Sequence, residues 1–253
     1  PGENARLAED GREMNDSPRP TALLAQNDWR QSAMQFARGV LSGYAQVYFS
    51  VKWTVGALFL AATFLLPAQG AAGLLGLILA NLFALLLGMP REQIKGGYFA
   101  YNGLLQGLAL GLTYQMNGPF FAMLVMVSFL GVLLAFSLRT IFERYLGVPV
   151  LSLPFVLTTW TIVAARKRLG DLLYTVAPFE IHWLDGALPS WLELFVRSLG
   201  AAFFQLNVPA GLLVALGLLL FSRHAFLLAV VGVGAGSLFH LALGGGMTDL
   251  NSM

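Results

Sequence analysis

The residues able to carry out acid–base, nucleophilic or metal chemistry are few and scattered along this chain. It contains no cysteine, and its three histidines, His182, His224 and His240, do not form a set with metal-ligand spacing. His182 and Asp185 lie close together in a polar stretch, but no nucleophile or second acid accompanies them. We therefore expect no enzyme activity, no metal centre and no cofactor.

Polar and aromatic residues inside apolar segments offer chemistry of a different kind. Gln46 supplies an amide oxygen and Ser152 a hydroxyl, while Phe49, Tyr101 and Leu105 supply flat or apolar surfaces. Oxygen acceptors beside flat surfaces suit a neutral, planar molecule rich in N–H groups. In a membrane segment the same residues often only bond or pack against a neighbouring helix, so both interpretations stay open at this point.

The composition indicates which elements must position these residues. Hydrophobic residues make up 57% of the chain and charged residues only 11%, against roughly 25% charge in soluble domains. The mean hydropathy is +0.70. With a net charge of +2 the chain has no surface suited to nucleic acid. We predict a multi-pass, all-α membrane protein.

Apolar runs follow one another from about residue 35, after a polar tail over residues 1–27 that we expect to be disordered. Only a few runs approach the roughly 20 residues needed to cross about 30 Å of hydrocarbon. Several helices must therefore be short, kinked or re-entrant, as in transporters whose broken helices line a cavity.

An internal repeat is suggested by sliding the chain on itself by about 155 residues. This shift places Tyr48-Phe49 on Phe203-Phe204 and Gly56 on Gly211. We assign a first transmembrane repeat to residues 28–186 and the start of a second to residues 187–253.

Three local motifs occur in order between the apolar runs. They are Ser-Gly-Tyr-Ala-Gln-Val-Tyr-Phe over residues 42–49, Gly-Tyr-Phe-Ala-Tyr-Asn-Gly-Leu-Leu-Gln-Gly over 97–107, and Val-Pro-Val-Leu-Ser-Leu-Pro-Phe over 148–155. Together they resemble the motifs of the urea transporter family across about residues 35–204. Ser42 stands in place of that family's usual Arg, and Val148 and Ser152 replace Leu and Thr of its Leu-Pro-x-x-Thr-x-Pro-Phe signature.

The resemblance implies a fold of two inverted repeats with half-membrane pore helices, assembled as a homotrimer with a pore in each protomer. The implied location is the cell membrane, or the inner membrane in a Gram-negative cell. The implied solute-binding pore residues are Gln46, Phe49, Tyr101, Leu105, Ser152, Phe155 and Phe204. The motif residues with an expected structural role are Asn102, Gly103, Pro149 and Pro154, and we expect the two prolines to interrupt helical bonding.

The second half departs from this pattern. Residues 197–204 match the opening motif, but Ala201 occupies the position expected to be Gln or Glu. The second-half counterparts of Tyr101 and Ser152 would fall beyond Met253, so we expect the second repeat to be truncated in this sequence.

The main functional hypothesis is a gradient-driven channel for urea or a related small neutral amide, since neither an ATP motif nor a buried acidic pair is present. A channel of the same fold for ammonia or another small neutral solute is the alternative favoured by Ala201. A non-transporting membrane scaffold or sensor is a further alternative.

Overall fold

The computed structural model describes residues 34, 36–50, 52–169 and 181–243. For residues 166–169 it describes the backbone alone. The chain divides into two compact units, Pro1–Ala37 and Arg38–Met253. In the first unit the described residues are Met34, Phe36 and Ala37. The predicted disordered tail, residues 1–27, thus lies outside the described residues, and the following description concerns the second unit.

The described part of this unit folds into helices joined by turns. The first, α1, is helical over residues 38–46 of this unit. The helices that follow are α2 (Trp53–Thr63), α3 (Pro67–Leu86), α4 (Arg91–Lys95), α5 (Ala100–Thr113), α6 (Gly118–Ile141) with a π-helical turn (Phe142–Leu146), α7 (Leu153–Leu169), α8 (Ser190–Ala201), α9 (Val208–Phe221) and α10 (Arg223–Ala242).

The described residues include both long and short apolar helices. Three segments are long and apolar enough to cross a membrane: Pro67–Leu86, Gly118–Leu146 and Arg223–Ala242. The shorter apolar helices are Trp53–Thr63, Leu153–Ala165 and Val208–Phe221. The sequence prediction of an all-α membrane fold that includes helices too short to span the bilayer is thereby confirmed.

Asparagine and proline together set where two of the apolar helices begin. The Asn117 side chain accepts a hydrogen bond from the Phe120 N–H at 2.9 Å, and Asn207 accepts one from Ala210 at the same distance. Pro119 and Pro209 follow in the first turns, where a missing N–H costs no helical bond. Each of these apolar helices therefore starts with a satisfied backbone donor.

Helices α3 and α5 pack through glycine, so their backbones touch. A Cβ added to Gly76 would lie 2.3 Å from the carbonyl oxygen of Gly103, and one added to Gly107 would lie 2.2 Å from that of Ala72. Any larger residue would force the helices apart. Gly103, predicted from its motif to be structural, thus lies where α5 is held against α3.

An aromatic cluster lies between α2, α9 and the turns that precede them. The Phe59 ring centroid lies 5.4 Å from that of Tyr48 and 5.1 Å from that of Phe203. Phe59 and Phe203 are fully buried, and the Tyr48 hydroxyl donates to the Leu199 carbonyl at 3.2 Å. This cluster fixes the turn after α1 relative to the turn after α8.

Those two turns have the same local geometry. Phe49 has φ 60° and Phe204 has φ 57°, a left-handed conformation that is rare for non-glycine residues. Each turn is closed by a 3.1 Å backbone hydrogen bond, from Ser50 to Ala45 in one and from Gln205 to Gly200 in the other.

The helix pairs that carry these turns also match. A Cβ added to Gly56 would lie 1.8 Å from the carbonyl oxygen of Leu41, and one added to Gly211 would lie 1.9 Å from that of Val196. Both contacts, like the two turns, are separated by the spacing of about 155 residues seen in the sequence. The pair α1 and α2 therefore packs like the pair α8 and α9.

Candidate functional site

One cavity of ≈ 360 Å³ collects most of the residues singled out from the sequence. Six predicted pore residues line it: Phe49, Tyr101, Leu105, Ser152, Phe155 and Phe204. Four further lining residues were not among the predicted pore residues: Val47, Leu151, Ala201 and Ala202. None of these ten lining residues carries a formal charge, so the cavity suits a neutral molecule.

Four chain segments build the walls of this cavity. The turn after α1 contributes Phe49 and the turn after α8 contributes Phe204. Both residues are in the left-handed conformation, so the backbone does not continue as a helix there but reverses its direction. The ring of each residue lines the cavity. The other two walls are α5 and the segment that leads into α7.

Three hydrogen bonds fasten α5 to that segment. The Tyr101 hydroxyl donates to the Leu151 carbonyl, and the Asn102 side-chain oxygen accepts from the Phe155 N–H at 3.2 Å. One turn further along α5, Gln106 Nε2 donates to Thr158 Oγ1 at 2.7 Å, in fully buried surroundings. Asn102 therefore contacts the backbone of α7, while Tyr101 keeps its oxygen lone pairs available as acceptors.

Aromatic rings dominate the cavity surface. The centroids of Phe155 and Phe204 are 6.0 Å apart with an interplanar angle of 65°. Phe49 lines the cavity and is 62% exposed. Ser152, which is half-buried, and Tyr101 provide the polar side-chain atoms of the lining.

Gln46 is the predicted pore residue that does not line this cavity. Its Oε1 atom is buried and has no hydrogen-bond partner among the described residues. It lies directly before Val47, which does line the cavity.

The two prolines of the third motif differ from expectation. Pro154 lies in the first turn of α7, where proline removes no helical hydrogen bond, and Pro149 lies in the non-helical stretch before it. The expectation that they interrupt a helix is wrong, because they instead bound its start. The Pro154 carbonyl accepts a hydrogen bond from the Thr158 hydroxyl at 2.9 Å.

The lining residues that were not among the predicted pore residues differ in how strongly the sequence signals them. The opening motif identifies Ala201 as the counterpart of Gln46, and the same spacing could have identified Ala202, the counterpart of Val47. Leu151 lines the cavity because its φ is 52°, and no feature of its sequence signals that conformation.

The pair His182 and Asp185 lies in the polar stretch before α8. Their Nδ1 and Oδ2 atoms are 2.9 Å apart, and Arg197 Nη2 lies 2.8 Å from both Asp185 Oδ1 and Glu193 Oε1. Partial desolvation raises the pKa of Asp185, but the hydrogen bond with His182 and the charge of Arg197 outweigh it and hold that pKa below its usual value. These contacts form a structural ion-pair cluster.

A helical fold with segments apolar enough to cross a membrane and an uncharged, aromatic-lined cavity is typical of one class of protein, the transporters and channels for small neutral solutes. A model of the urea transporter family matches residues 37–252. The chain belongs to the urea transporter family, whose members are transport proteins and not enzymes. The family resemblance predicted from the three motifs is confirmed.

Individual relatives agree with this assignment. The chain is 25% identical to urea transporter 1 of Rattus norvegicus over 233 residues, which cover 87% of this chain and 59% of the rat protein. It is 28% identical to urea transporter 1 of Ovis aries and of Capra hircus over 130 residues, which cover 50% of this chain and 34% of each relative. The chain thus spans less than two thirds of the length of these relatives.

Proposed function

We propose that this chain forms a facilitative channel for urea or a related small neutral amide, which passes down its own gradient. The observation that carries the proposal is the uncharged cavity in which four aromatic side chains surround one serine hydroxyl. Its aromatic residues are Phe49, Tyr101, Phe155 and Phe204.

The chemistry of urea explains why such a lining is suitable. Urea is planar, neutral and strongly hydrated, so a pathway must replace the water it loses on entry. Ser152 and the lone pairs of Tyr101 can accept its N–H groups, while the rings of Phe49 and Phe204 can contact its flat faces. Gln46 is proposed as a further acceptor along the pathway, since its Oε1 has no partner among the described residues.

The structural motif residues are proposed to hold these groups in place. Asn102 bonds the backbone of Phe155, Gly103 permits close packing of α5 on α3, and Pro149 and Pro154 bound the start of α7. Their substitution would displace the cavity walls without removing a group that contacts solute.

The proposed architecture is a homotrimer of protomers, each built on two inverted repeats assigned to residues 28–186 and 187–253, with one pathway per protomer. The location proposed is the cell membrane, or the inner membrane of a Gram-negative cell. The matched turns at Phe49 and Phe204 support a repeat, and family membership supports the remainder.

One observation favours a second candidate function. Ala201 and Ala202 line the cavity where the pattern of the first half would place Gln and Val, so one wall lacks a side-chain acceptor. A pathway with fewer acceptors favours a solute that sheds less water, such as ammonia. A scaffold or sensor without transport is the third reading.

Stopped-flow light scattering on proteoliposomes separates these functions. The proposal expects urea to enter faster than it enters protein-free vesicles, with no comparable gain for glycerol. Acceleration of ammonia without urea would establish the second function, and acceleration of none of the three solutes would establish the third.

A further inference from the structure

Three buried amide side chains form a continuous hydrogen-bonded network behind Phe204. Gln69, at the start of α3, is 3% exposed, Gln205 is fully buried and Asn207, which caps α9, is 4% exposed. Gln205 Nε2 donates to Gln69 Oε1 at 2.8 Å, and Asn207 Nδ2 donates to Gln205 Oε1 at 3.0 Å. The network therefore links elements that are 136 residues apart in sequence.

Four further hydrogen bonds join this network to backbone groups. Gln69 Nε2 donates to the Phe204 carbonyl at 3.2 Å and to the Leu108 carbonyl at 3.3 Å. Gln205 Nε2 donates to the Thr63 carbonyl at 3.2 Å, and Asn207 Oδ1 accepts from Ala210 at 2.9 Å. Flipping any amide would set like groups against each other, so the orientation of all three is determined.

Phe204 is the cavity residue that this network holds. Its backbone is in the left-handed region at φ 57°, a conformation that a phenylalanine keeps only when its surroundings enforce it. The Gln69 amide fixes the carbonyl of this residue, and the ring contacts Phe155 across the cavity. A shift of the carbonyl would tilt the ring and change the width available to a solute.

The matching turn at Phe49 is built differently. Ser50 and Lys52 occupy the positions that correspond to Gln205 and Asn207, and Ser50 Oγ accepts only from the Lys52 N–H, at 3.2 Å, among the described contacts. No amide network supports this turn in the described part of the chain. Of the two turns, the one at Phe204 is thus the one in which a buried side-chain amide bonds the carbonyl of the cavity phenylalanine, among the described contacts.

We infer that Gln69 is a positioning residue that sets solute selectivity by fixing Phe204, although it does not line the cavity itself. The inference rests on the proposed channel function. Gln69 acts through the Phe204 carbonyl, and its positioning role requires the amide hydrogen that it donates to that carbonyl.

The test compares Gln69→Leu with Asn81→Leu in proteoliposomes that contain urea or N-methylurea. Asn81 is a matched control because it lies on the same helix, is 5% exposed and has an Oδ1 atom without a partner among the described residues. We expect Gln69→Leu to raise the permeability of N-methylurea relative to urea by about threefold to tenfold, the change that corresponds to one net hydrogen bond. Asn81→Leu should leave the ratio unchanged. An equal ratio in both variants and the wild type would overturn the inference.

Gln69→Glu provides a second test that remains decisive where the leucine variant does not fold. A carboxyl group in this position can donate to the Phe204 carbonyl only when it is protonated. The variant should therefore show wild-type selectivity at low pH and relaxed selectivity at high pH, while the wild-type ratio stays constant. A pH-independent ratio in this variant would refute the positioning role.

The two proposals fail in distinguishable ways. If the protein passes urea but neither Gln69 variant changes the ratio of N-methylurea to urea permeability, only the positioning role is refuted. Wild-type vesicles that pass neither solute faster than protein-free vesicles defeat the channel function, and the inference with it.

Discussion

Phe49 and Phe204 have almost the same left-handed backbone conformation, with φ 60° and 57°, and both rings line one cavity. Each residue lies in the turn that follows a helix, where its left-handed conformation reverses the chain, so the backbone conformation and the position of the ring are determined together. The site is therefore formed by two matched turns at its sides and by α5 and α7 between them.

Substitution of Gln46 or Phe49 should lower solute flux without unfolding the protein. Phe49→Ala removes one aromatic wall, and Gln46→Leu removes an acceptor whose Oε1 has no partner among the described residues. We expect each to reduce urea permeability about threefold or more. Phe64→Ala removes another exposed ring, which lies outside the cavity lining, and should leave the permeability unchanged. Wild-type permeability in both site variants would mean that the pathway lies elsewhere.

A protein with alanine at a given position is usually more stable than one with glycine there, and at Phe204 this order should be reversed. Both substitutions remove the ring, but only glycine adopts φ 57° without the cost of a left-handed conformation, about 1–2 kcal/mol. We predict that Phe204→Gly melts at a higher temperature than Phe204→Ala in detergent. Phe203 is the control, because its φ is not positive, and there the alanine variant should be the more stable. The same order at both positions would contradict the prediction.

Ala201→Gln should restore an acceptor to the turn after α8. Ala201 corresponds to Gln46 at the repeat spacing and lines the cavity. One added net hydrogen bond to the solute should raise the permeability of urea relative to ammonia by about threefold. Ala187→Gln, on an exposed loop, should not change the ratio, measured for all variants by stopped-flow light scattering. An identical ratio in the Ala201 variant and the wild type would exclude a polar role for this wall.

The loop before α8 should lose its docking at acid pH. The pKa of Asp185 lies below its ordinary value of 3.8 in the folded protein, so its contribution to stability is present above that value and is lost as the pH falls through the folded pKa. Amide hydrogen exchange over residues 181–189, corrected for its intrinsic pH dependence, should rise below about pH 4. Asp185→Asn should already exchange faster at pH 6. Equal protection in the variant and wild type at pH 6 would rule out this role.

The sequence predicted much of this site because its signals were local. Tyr101, Ser152 and Phe155 lie in motifs whose order along the chain was visible, and the spacing that aligned Gly56 with Gly211 reappears as matched helix contacts. The support for Phe204 could not be predicted in this way. Gln69 and Gln205 bond across 136 residues, and no local pattern distinguishes an amide that bonds a distant carbonyl from one that faces a neighbouring helix.

The contact between Gly76 and Gly103 affects how the cavity responds to heat. Side chains between helices act as soft spacers, because their rotamers change as thermal energy rises. Here the two backbones are in direct contact, with no side chain between them. This contact supports α5, which carries the cavity residues Tyr101 and Leu105. In the proposed channel we therefore expect warming to leave the position of this wall unchanged, so that the temperature dependence of permeation would reflect the dehydration of the solute and not a widening of the passage.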